Sequence, residues 1–160
     1  MSGTSKCITI RVKNRLGELL RRPGGIDREQ AITVALEHVE SLRDEYVKAI
    51  PGEIEALETI VAGVGSKKIS ACKIQELLDC ADRLLVLSGT FGYPMLDAVV
   101  KSFCDLGIVM IEKGITSVEP LKVHLRAMWL VCPVSSKVAD VEAKNVLNEL
   151  SKIHEHFKAA

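Results

Sequence analysis

The sequence predicts an all-α fold, an antiparallel up-down helical bundle with a four-helix core and one further helix at the carboxyl terminus. Apolar residues recur at three- and four-residue steps along most of the 160-residue chain, which is the period of an amphipathic helix. No segment shows a convincing set of strands. The connections between helical segments are short, and short connections favour antiparallel neighbours.

The composition predicts an aliphatic core and argues against several classes of partner. Apolar residues make up 48% of the chain and aromatic residues only 4%. Lys plus Arg and Asp plus Glu are both 21, so no overall charge attracts nucleic acid or an anionic membrane. The longest apolar run, residues 128–134, is far shorter than the ~20 residues that span a bilayer. The amino terminus lacks an apolar signal region, so we expect a cytoplasmic protein without a nucleic-acid or membrane partner.

Charge and helix breaks divide the chain into three predicted parts: a basic arm over residues 1–25, a bundle over 26–132 and an amphipathic helix over 133–160. In the arm, six basic side chains oppose a single acidic one, Glu18. We interpret the arm as lying on the acidic outer face of the protein's own first helix. The alternative is that the arm contacts a partner.

The first long helix is predicted over residues 28–61. Asp27, with Gln30 three positions later, resembles a capping box. The apolar face continues through Pro51 without losing phase, so we predict one kinked helix or two coaxial ones. The residues that we expect to be buried are Ile32, Ala35, Val39, Leu42, Tyr46, Ile50, Ile54, Leu57 and Val61.

Four more helices are predicted, the first two over residues 69–87 and 94–112. Gly114 is expected to stop the second of these, Ser117 to cap the next, with Pro120 in its first turn, and Pro133 to follow its end. The expected inward residues are Ile74, Leu77, Leu78, Ala81, Leu84 and Leu85; Leu96, Val99, Val100, Phe103, Leu106 and Met110; Leu121, Leu125 and Met128; and Ala143, Val146, Leu147, Leu150, Ile153 and Phe157.

A tight corner is predicted between residues 87 and 94. Gly89 and Gly92 supply the backbone freedom that a sharp reversal between helices needs. Phe91 is placed to plug the end of the bundle, and Pro94 suits the first position of the next helix. We therefore expect these four residues to have a structural role.

The corner also carries a family motif. Arg83-Leu84 is followed at fixed spacing by Gly89-Thr90-Phe91-Gly92-Tyr93-Pro94. Here the chain resembles the histidine phosphotransfer (Hpt) domains of bacterial two-component phosphorelays, in which one form of the motif reads His-Arg-Leu-x-Gly-Ser-Ala-Gly-Thr-Phe-Gly-Tyr/Phe-Pro. The resemblance covers about residues 28–131, and it implies an Hpt-like four-helix core.

The departures from this motif fall on the residues that handle phosphate in the family. Asp82 stands where the family has its phosphorylated histidine, Leu85 where it commonly has lysine, and Val86 where it usually has glycine. Phosphotransfer needs a neutral imidazole nitrogen as nucleophile, and a nearby cation helps to hold the phosphoryl oxygens. We therefore expect no catalytic residue and no enzyme activity at this position.

The resemblance implies a non-catalytic signalling module that docks a response-regulator receiver domain or a histidine kinase without carrying phosphate. Such a module acts by occupancy, and we expect it to need no cofactor. The docking face is expected on the second bundle helix, at Leu78, Asp79, Asp82, Arg83, Leu85 and Val86.

Two alternatives stay open. An active phosphotransfer protein could use a relocated histidine, and His124 is the best placed of the four histidines. A plain interaction bundle could instead form a homo-oligomer through its carboxyl-terminal helix.

No metal site is predicted. The five cysteines lack the spacing of zinc or redox motifs, and we expect buried, reduced thiols, including Cys72 and Cys80. His154 and His156 lie two positions apart, and such positions do not face each other on a helix.

Overall fold

The structure is a computed structural model that describes residues 17–18, 24–64, 68–134 and 140–159. This part of the chain is helical and contains no strand, which confirms the predicted all-α class; the antiparallel arrangement stays a prediction. The helices are α1 (Arg28–Ser41), α2 (Arg43–Val64), α3 (Ala71–Thr90), α4 (Pro94–Lys113), α5 (Glu119–Val131) and α6 (Asp140–Ala159). The chain divides into two compact units, Met1–His38 and Val39–Ala160, which we describe separately.

The first unit contains most of α1. The Asp27 carboxylate accepts a hydrogen bond of 3.1 Å from the Glu29 N–H, as expected of an N-cap. The prediction that the apolar side chains of this helix are buried was wrong, because Ile32 and Ala35 are exposed, as are Ile26, Val34 and Leu36. A periodic pattern identifies the apolar face of a helix, but it does not show whether another part of the protein covers that face. Residues 1–16 and 19–23 of the predicted basic arm lie outside the described residues.

The second unit begins with the end of α1 and with α2. The predicted first long helix is interrupted at Leu42, and Pro51, where a kink was predicted, lies inside α2. The Leu42 N–H bonds to the carbonyl of Val39 three residues back, at 3.1 Å, which tightens the chain at this point. The α2 residues Ile50, Ile54, Leu57 and Val61 are buried as predicted, whereas Val39 and Tyr46 are exposed and Leu42 is half-buried.

The core of the second unit lies among α2, α3, α4 and α5. Helix α2 contacts α3 and α5, and α4 contacts α3, α5 and also α6. The inward residues predicted on α4 are all buried: Leu96, Val99, Val100, Phe103, Leu106 and Met110. Helix α6 packs on α4 and α5, with Leu150 buried and four more apolar side chains against the core: Val146, Leu147, Ile153 and Phe157.

Helices α3 and α4 are in close contact at Gly107. A Cβ atom at this position would lie 2.8 Å from the Leu78 Cδ2 atom. Leu78 and Leu85 are therefore half-buried side chains that pack against the core, whereas Ile74, Leu77, Ala81 and Leu84 are fully inside it. Contrary to the prediction for the cysteines, Cys72 is exposed, whereas Cys80 and Cys132 are buried.

The ends of the helices follow local chemistry. Gly114 ends α4 in a left-handed conformation with φ 65°, as predicted. The Ser70 side chain caps α3 by accepting a hydrogen bond of 3.3 Å from the Lys73 N–H. The prediction that Ser117 caps α5 was wrong, because the helix begins one residue later and Val118 is its N-cap, without a side-chain hydrogen bond. Pro120 lies in the first turn of α5, where its missing N–H costs nothing.

This difference between the two serines predicts different effects of the same substitution. Ser70→Ala is expected to lower the free energy of unfolding by about 1 kcal/mol, because it removes a capping hydrogen bond. Ser117→Ala, at an exposed position without such a bond, is expected to change it by less than about 0.5 kcal/mol. Chemical denaturation of both variants measures the difference, and equal losses would contradict the capping assignment.

Candidate functional site

The structure places the six predicted docking residues on two sides of α3 rather than on one face. Asp79 and Arg83 line a groove together with Ala56 and Thr59 of α2. Leu78 instead packs near Gly107 of α4. Of the six, Asp79, Asp82, Arg83 and Val86 are exposed, and Leu78 and Leu85 are half-buried. The exposed four are therefore the candidates for contact with a partner.

Asp82 is an exposed carboxylate on α3. It makes no hydrogen bond or ion pair within the described part of the chain. The charge of Asp82 also affects Cys104 on α4. Burial is the main cause that raises the pKa of the Cys104 thiol to about 11, and the negative charges of Asp82 and Asp105 raise it further. The Cys104 thiol is therefore neutral at pH 7, which makes it a weak nucleophile.

Arg83, the neighbour of Asp82, is already engaged by α2. Its Nε atom donates a hydrogen bond of 2.8 Å to a carboxylate oxygen of Glu53, and this contact raises the pKa of Arg83. The guanidinium also lies 3.2 Å from the Cys80 Sγ atom. Arg83 therefore connects α2 and α3, and its charge is largely balanced before any partner arrives.

An apolar groove of about 420 Å³ lies between α2 and α3 beside Asp82. Tyr46 and Ala49 come from α2, and Val86 and Leu87 from α3, while Glu53, Asp82 and Arg83 complete the lining. Val86 is 66% exposed and Tyr46 is 45% exposed, which is unusual for large apolar side chains. We call this surface the α2–α3 groove. The groove therefore places apolar surface beside the exposed Asp82 carboxylate, and such a surface is suited to bind a side chain of another protein.

Sequence reasoning missed the α2 half of this groove. Tyr46 lies in phase with the buried residues of α2, so periodicity alone assigned it to the core. Ala49 precedes the buried Ile50, and Glu53 belongs to the acidic outer face. The signal that could have separated Tyr46 from the core is its hydroxyl group, which favours a partly exposed position.

The corner after α3 is stabilised by the amino-terminal end of α2. The Phe91 ring is buried and stacks on the Tyr46 ring, with centroids 5.8 Å apart. The Arg43 guanidinium lies 5.9 Å from the Phe91 centroid and donates a hydrogen bond to the Phe91 carbonyl. The hydrogen bond to Glu40 and, to a smaller extent, the one to Tyr93 raise the pKa of Arg43, so Arg43 stays positively charged.

The four predicted corner residues have distinct roles. Gly92 adopts φ 73°, a left-handed conformation that favours glycine, and Pro94 is the first residue of α4. Gly89 lies inside α3 without a positive φ, so the backbone freedom predicted for it is not used there. Phe91 is buried, as expected of a plug.

His124 is fully buried between α4 and α5. Its Nδ1 atom lies 2.8 Å from the Pro120 carbonyl, which only accepts, so Nδ1 carries the proton. Its Nε2 atom therefore accepts a hydrogen bond of 3.1 Å from the Ser102 hydroxyl. Both ring nitrogens are engaged and the side chain is shielded from solvent, which disfavours His124 as a phosphoacceptor for another protein.

Burial is the main cause of the lowered pKa of His124. The hydrogen bond to the Pro120 carbonyl raises the pKa in part, and nearby His154 lowers it again. The unfolded chain therefore binds more protons than the folded chain as the pH falls below about 6.5, and stability is lost in that direction. We expect the free energy of unfolding to fall between pH 7.5 and pH 5.5, above the range in which ordinary carboxylates titrate. Denaturation of the wild type and of His124→Gln at both pH values tests this, and an equal loss in the variant would assign the effect to other groups.

The structure also bears on metal binding, on membrane spanning and on the oligomer alternative. No cluster of three or more His, Cys, Asp or Glu residues that could hold a metal ion occurs in residues 24–64, 68–134 or the described part of α6. No helix within the described ranges is long and apolar enough to cross a membrane. The apolar stripe of α6, which the oligomer alternative needs to be free, packs against the core.

A scan against protein-family models and searches of curated proteins and of solved structures found no match to this chain. The likeness to histidine phosphotransfer domains thus rests on the motif around Asp82 and Phe91, and it stays a prediction.

Proposed function

We propose that this chain is a non-catalytic, Hpt-like signalling module that docks a response-regulator receiver domain or a histidine kinase in the cytoplasm without carrying phosphate. One observation carries the proposal: at the position of the family's phosphohistidine, Asp82 is exposed, has no partner among the described residues, and borders the apolar α2–α3 groove. These features support a surface that docks a partner, at a position where the family's nucleophile is replaced.

The substituted residues argue against phosphate transfer. A carboxylate lacks the nucleophilic imidazole nitrogen of a phosphohistidine, and its negative charge opposes an approaching phosphoryl group. Leu85 is half-buried and apolar and offers no cation to the phosphoryl oxygens. His124 is buried with both nitrogens engaged, so it does not replace the missing histidine at the surface.

The α2–α3 groove supports docking because its apolar side chains are exposed beside a charged rim. Val86 and Tyr46 give a partner side chain apolar area to bury, and Asp82 offers an unpaired charge at the edge. A receiver domain is the preferred occupant, because receivers are the proteins that meet the phosphohistidine position in the family that this chain resembles. Binding to a kinase alone is the other outcome that the experiment distinguishes.

The experiment combines binding with phosphate transfer. The chain is mixed with purified receivers and kinases of its own cell, with the kinases autophosphorylated by labelled ATP, and complexes and protein-bound label are measured. We expect a complex with a receiver and no label on the chain. The matched variant Asp82→His/Leu85→Lys/Val86→Gly restores the family's residues and is expected to gain an acid-labile phosphate.

Two outcomes would contradict this account, and a third would decide between its two candidate partners. Label on the wild-type chain would show that it carries phosphate after all. The absence of any complex, for both the wild type and the restored variant, would remove the docking function. A complex with the kinase alone would move the docking partner from the receiver to the kinase.

A further inference from the structure

Another groove, of about 530 Å³, lies between α4 and α6 and is separate from the proposed docking surface. Its walls contain polar and charged side chains: Lys101, Ser102 and Asp105 on α4, and Ser151, His154 and Glu155 on α6. Ser102 is half-buried, so its hydroxyl lies at the border between the groove and the core.

The Ser102 hydroxyl is held by an oriented base. It donates to the His124 Nε2 atom at 3.1 Å, and the Nδ1 proton of the same ring is fixed by the Pro120 carbonyl at 2.8 Å. The Phe103 ring packs edge-on against the imidazole, with centroids 6.3 Å apart, which further restricts the ring. A hydroxyl, a neutral imidazole that accepts from it and a third group that sets the tautomer are the components of an activated serine nucleophile.

We propose that Ser102, His124 and the Pro120 carbonyl form an acylation site that opens into the α4–α6 groove and takes small, uncharged acyl esters. The class of substrate follows from the walls of the groove. Lys101 is paired with Asp97 at 2.6 Å, whereas Asp105 and Glu155 bring two carboxylates, so an anionic substrate finds no free cation there. The site is independent of the docking of any receiver domain.

The chemical step is an ordinary acyl transfer. The Ser102 Oγ atom bonds to the carbonyl carbon of the ester, and its proton passes to the His124 Nε2 atom. The bond between the carbonyl carbon and the alcohol oxygen then breaks, and the alcohol leaves with the proton from Nε2. Water repeats the same sequence on the acyl-serine, releases the carboxylic acid and restores the hydroxyl.

His154 lines the same groove from α6. Its Nδ1 atom is buried and is the one buried side-chain nitrogen or oxygen without a hydrogen-bond partner within the described residues. Buried polar groups are normally paired, since an unpaired one costs free energy. Because this atom is buried, a ligand in the groove does not reach it, and the chemistry of the site depends on Ser102 and His124.

The test uses p-nitrophenyl acetate and maps acetylation by peptide mass spectrometry. Ser117 is exposed and has no histidine partner, so it provides an internal reference within the same chain. We expect Ser102 to be acetylated at least about 100-fold faster than Ser117, the lower end of what a positioned general base contributes. If acetyl-Ser102 is hydrolysed before it accumulates, Ser102→Ala is expected to remove the matching release of p-nitrophenol.

The dependence on pH separates catalysis by His124 from simple exposure. Because the pKa of His124 is lowered, the rate at Ser102 should level off above about pH 6.5, whereas the rate at Ser117 should keep rising with hydroxide concentration. His124→Gln is expected to bring Ser102 down to the rate of Ser117; if that variant does not fold, the wild-type pH profile decides alone. Equal rates at both serines, or acetylation of Ser151 in place of Ser102, would overturn the proposal.

Discussion

Phe103→Ala is expected to lower the free energy of unfolding of the second unit by about 3–5 kcal/mol. The Phe103 side chain is fully buried on α4, the helix that contacts α3, α5 and α6. Its removal leaves a cavity against the His124 ring, which lies edge-on to it with centroids 6.3 Å apart. The expected loss is the sum of the hydrophobic free energy that the buried ring contributes and the cost of that cavity.

Ile108→Ala is the matched control, because Ile108 is on the same helix but is 47% exposed. It is expected to change stability by less than about 0.5 kcal/mol. Guanidinium denaturation followed by tryptophan fluorescence measures both variants, since Trp129 is the only tryptophan and donates a hydrogen bond of 2.9 Å to Glu58 of α2. Similar losses in the two variants would contradict the assignment of Phe103 to the core.

Phe91→Ala is expected to cost about 3 kcal/mol, the second largest effect. The substitution removes a buried ring, its stacking on Tyr46 and its contact with the Arg43 guanidinium. These three groups connect the start of α2 to the corner between α3 and α4. The loss should therefore exceed that of an ordinary residue at the end of a helix.

Thr90→Ala, next in the chain and exposed, is the control for Phe91→Ala. It is expected to stay within about 0.5 kcal/mol of the wild type. Thermal and guanidinium unfolding measure both variants. If Phe91→Ala is as stable as Thr90→Ala, the corner does not depend on the buried ring.

The sequence was most informative where a periodic apolar pattern coincides with clear stop signals. Helix α4 shows this best: Pro94 starts it, Gly114 ends it, and the inward residues between them are buried as predicted. Both signals are local, because proline and glycine act on their own backbone and the period belongs to a single helix.

The same reasoning failed on the first long helix. Ile32, Val39 and Tyr46 follow the same period as the buried Ile50 and Ile54, but the former three are exposed. Periodicity describes one face of a helix and contains no information about whether another element covers it. The break at Leu42 was also missed. We predicted the irregularity at Pro51, because proline disrupts the interior of helices, but Pro51 lies inside α2.

The candidate site depends on contacts between residues far apart in the chain, which a pattern within one helix does not reveal. Arg83 bonds to Glu53, His124 bonds to Ser102, and Tyr46 lines a groove with Val86. The motif identified Asp82 and Arg83 on α3, but it gave no indication that α2 supplies the other wall. Only the packing of α2 on α3 brings the two walls together.

The most direct test of the docking surface is a calorimetric titration of a receiver domain into the wild type, Asp82→Arg and Glu112→Arg. The two substitutions change the net charge equally, and Glu112 is an exposed residue near the end of α4 outside the α2–α3 groove. We predict that Asp82→Arg weakens binding at least about tenfold, or about 1.4 kcal/mol, and that Glu112→Arg does not. Equal affinity of the wild type and Asp82→Arg would show that the α2–α3 groove is not where a receiver binds.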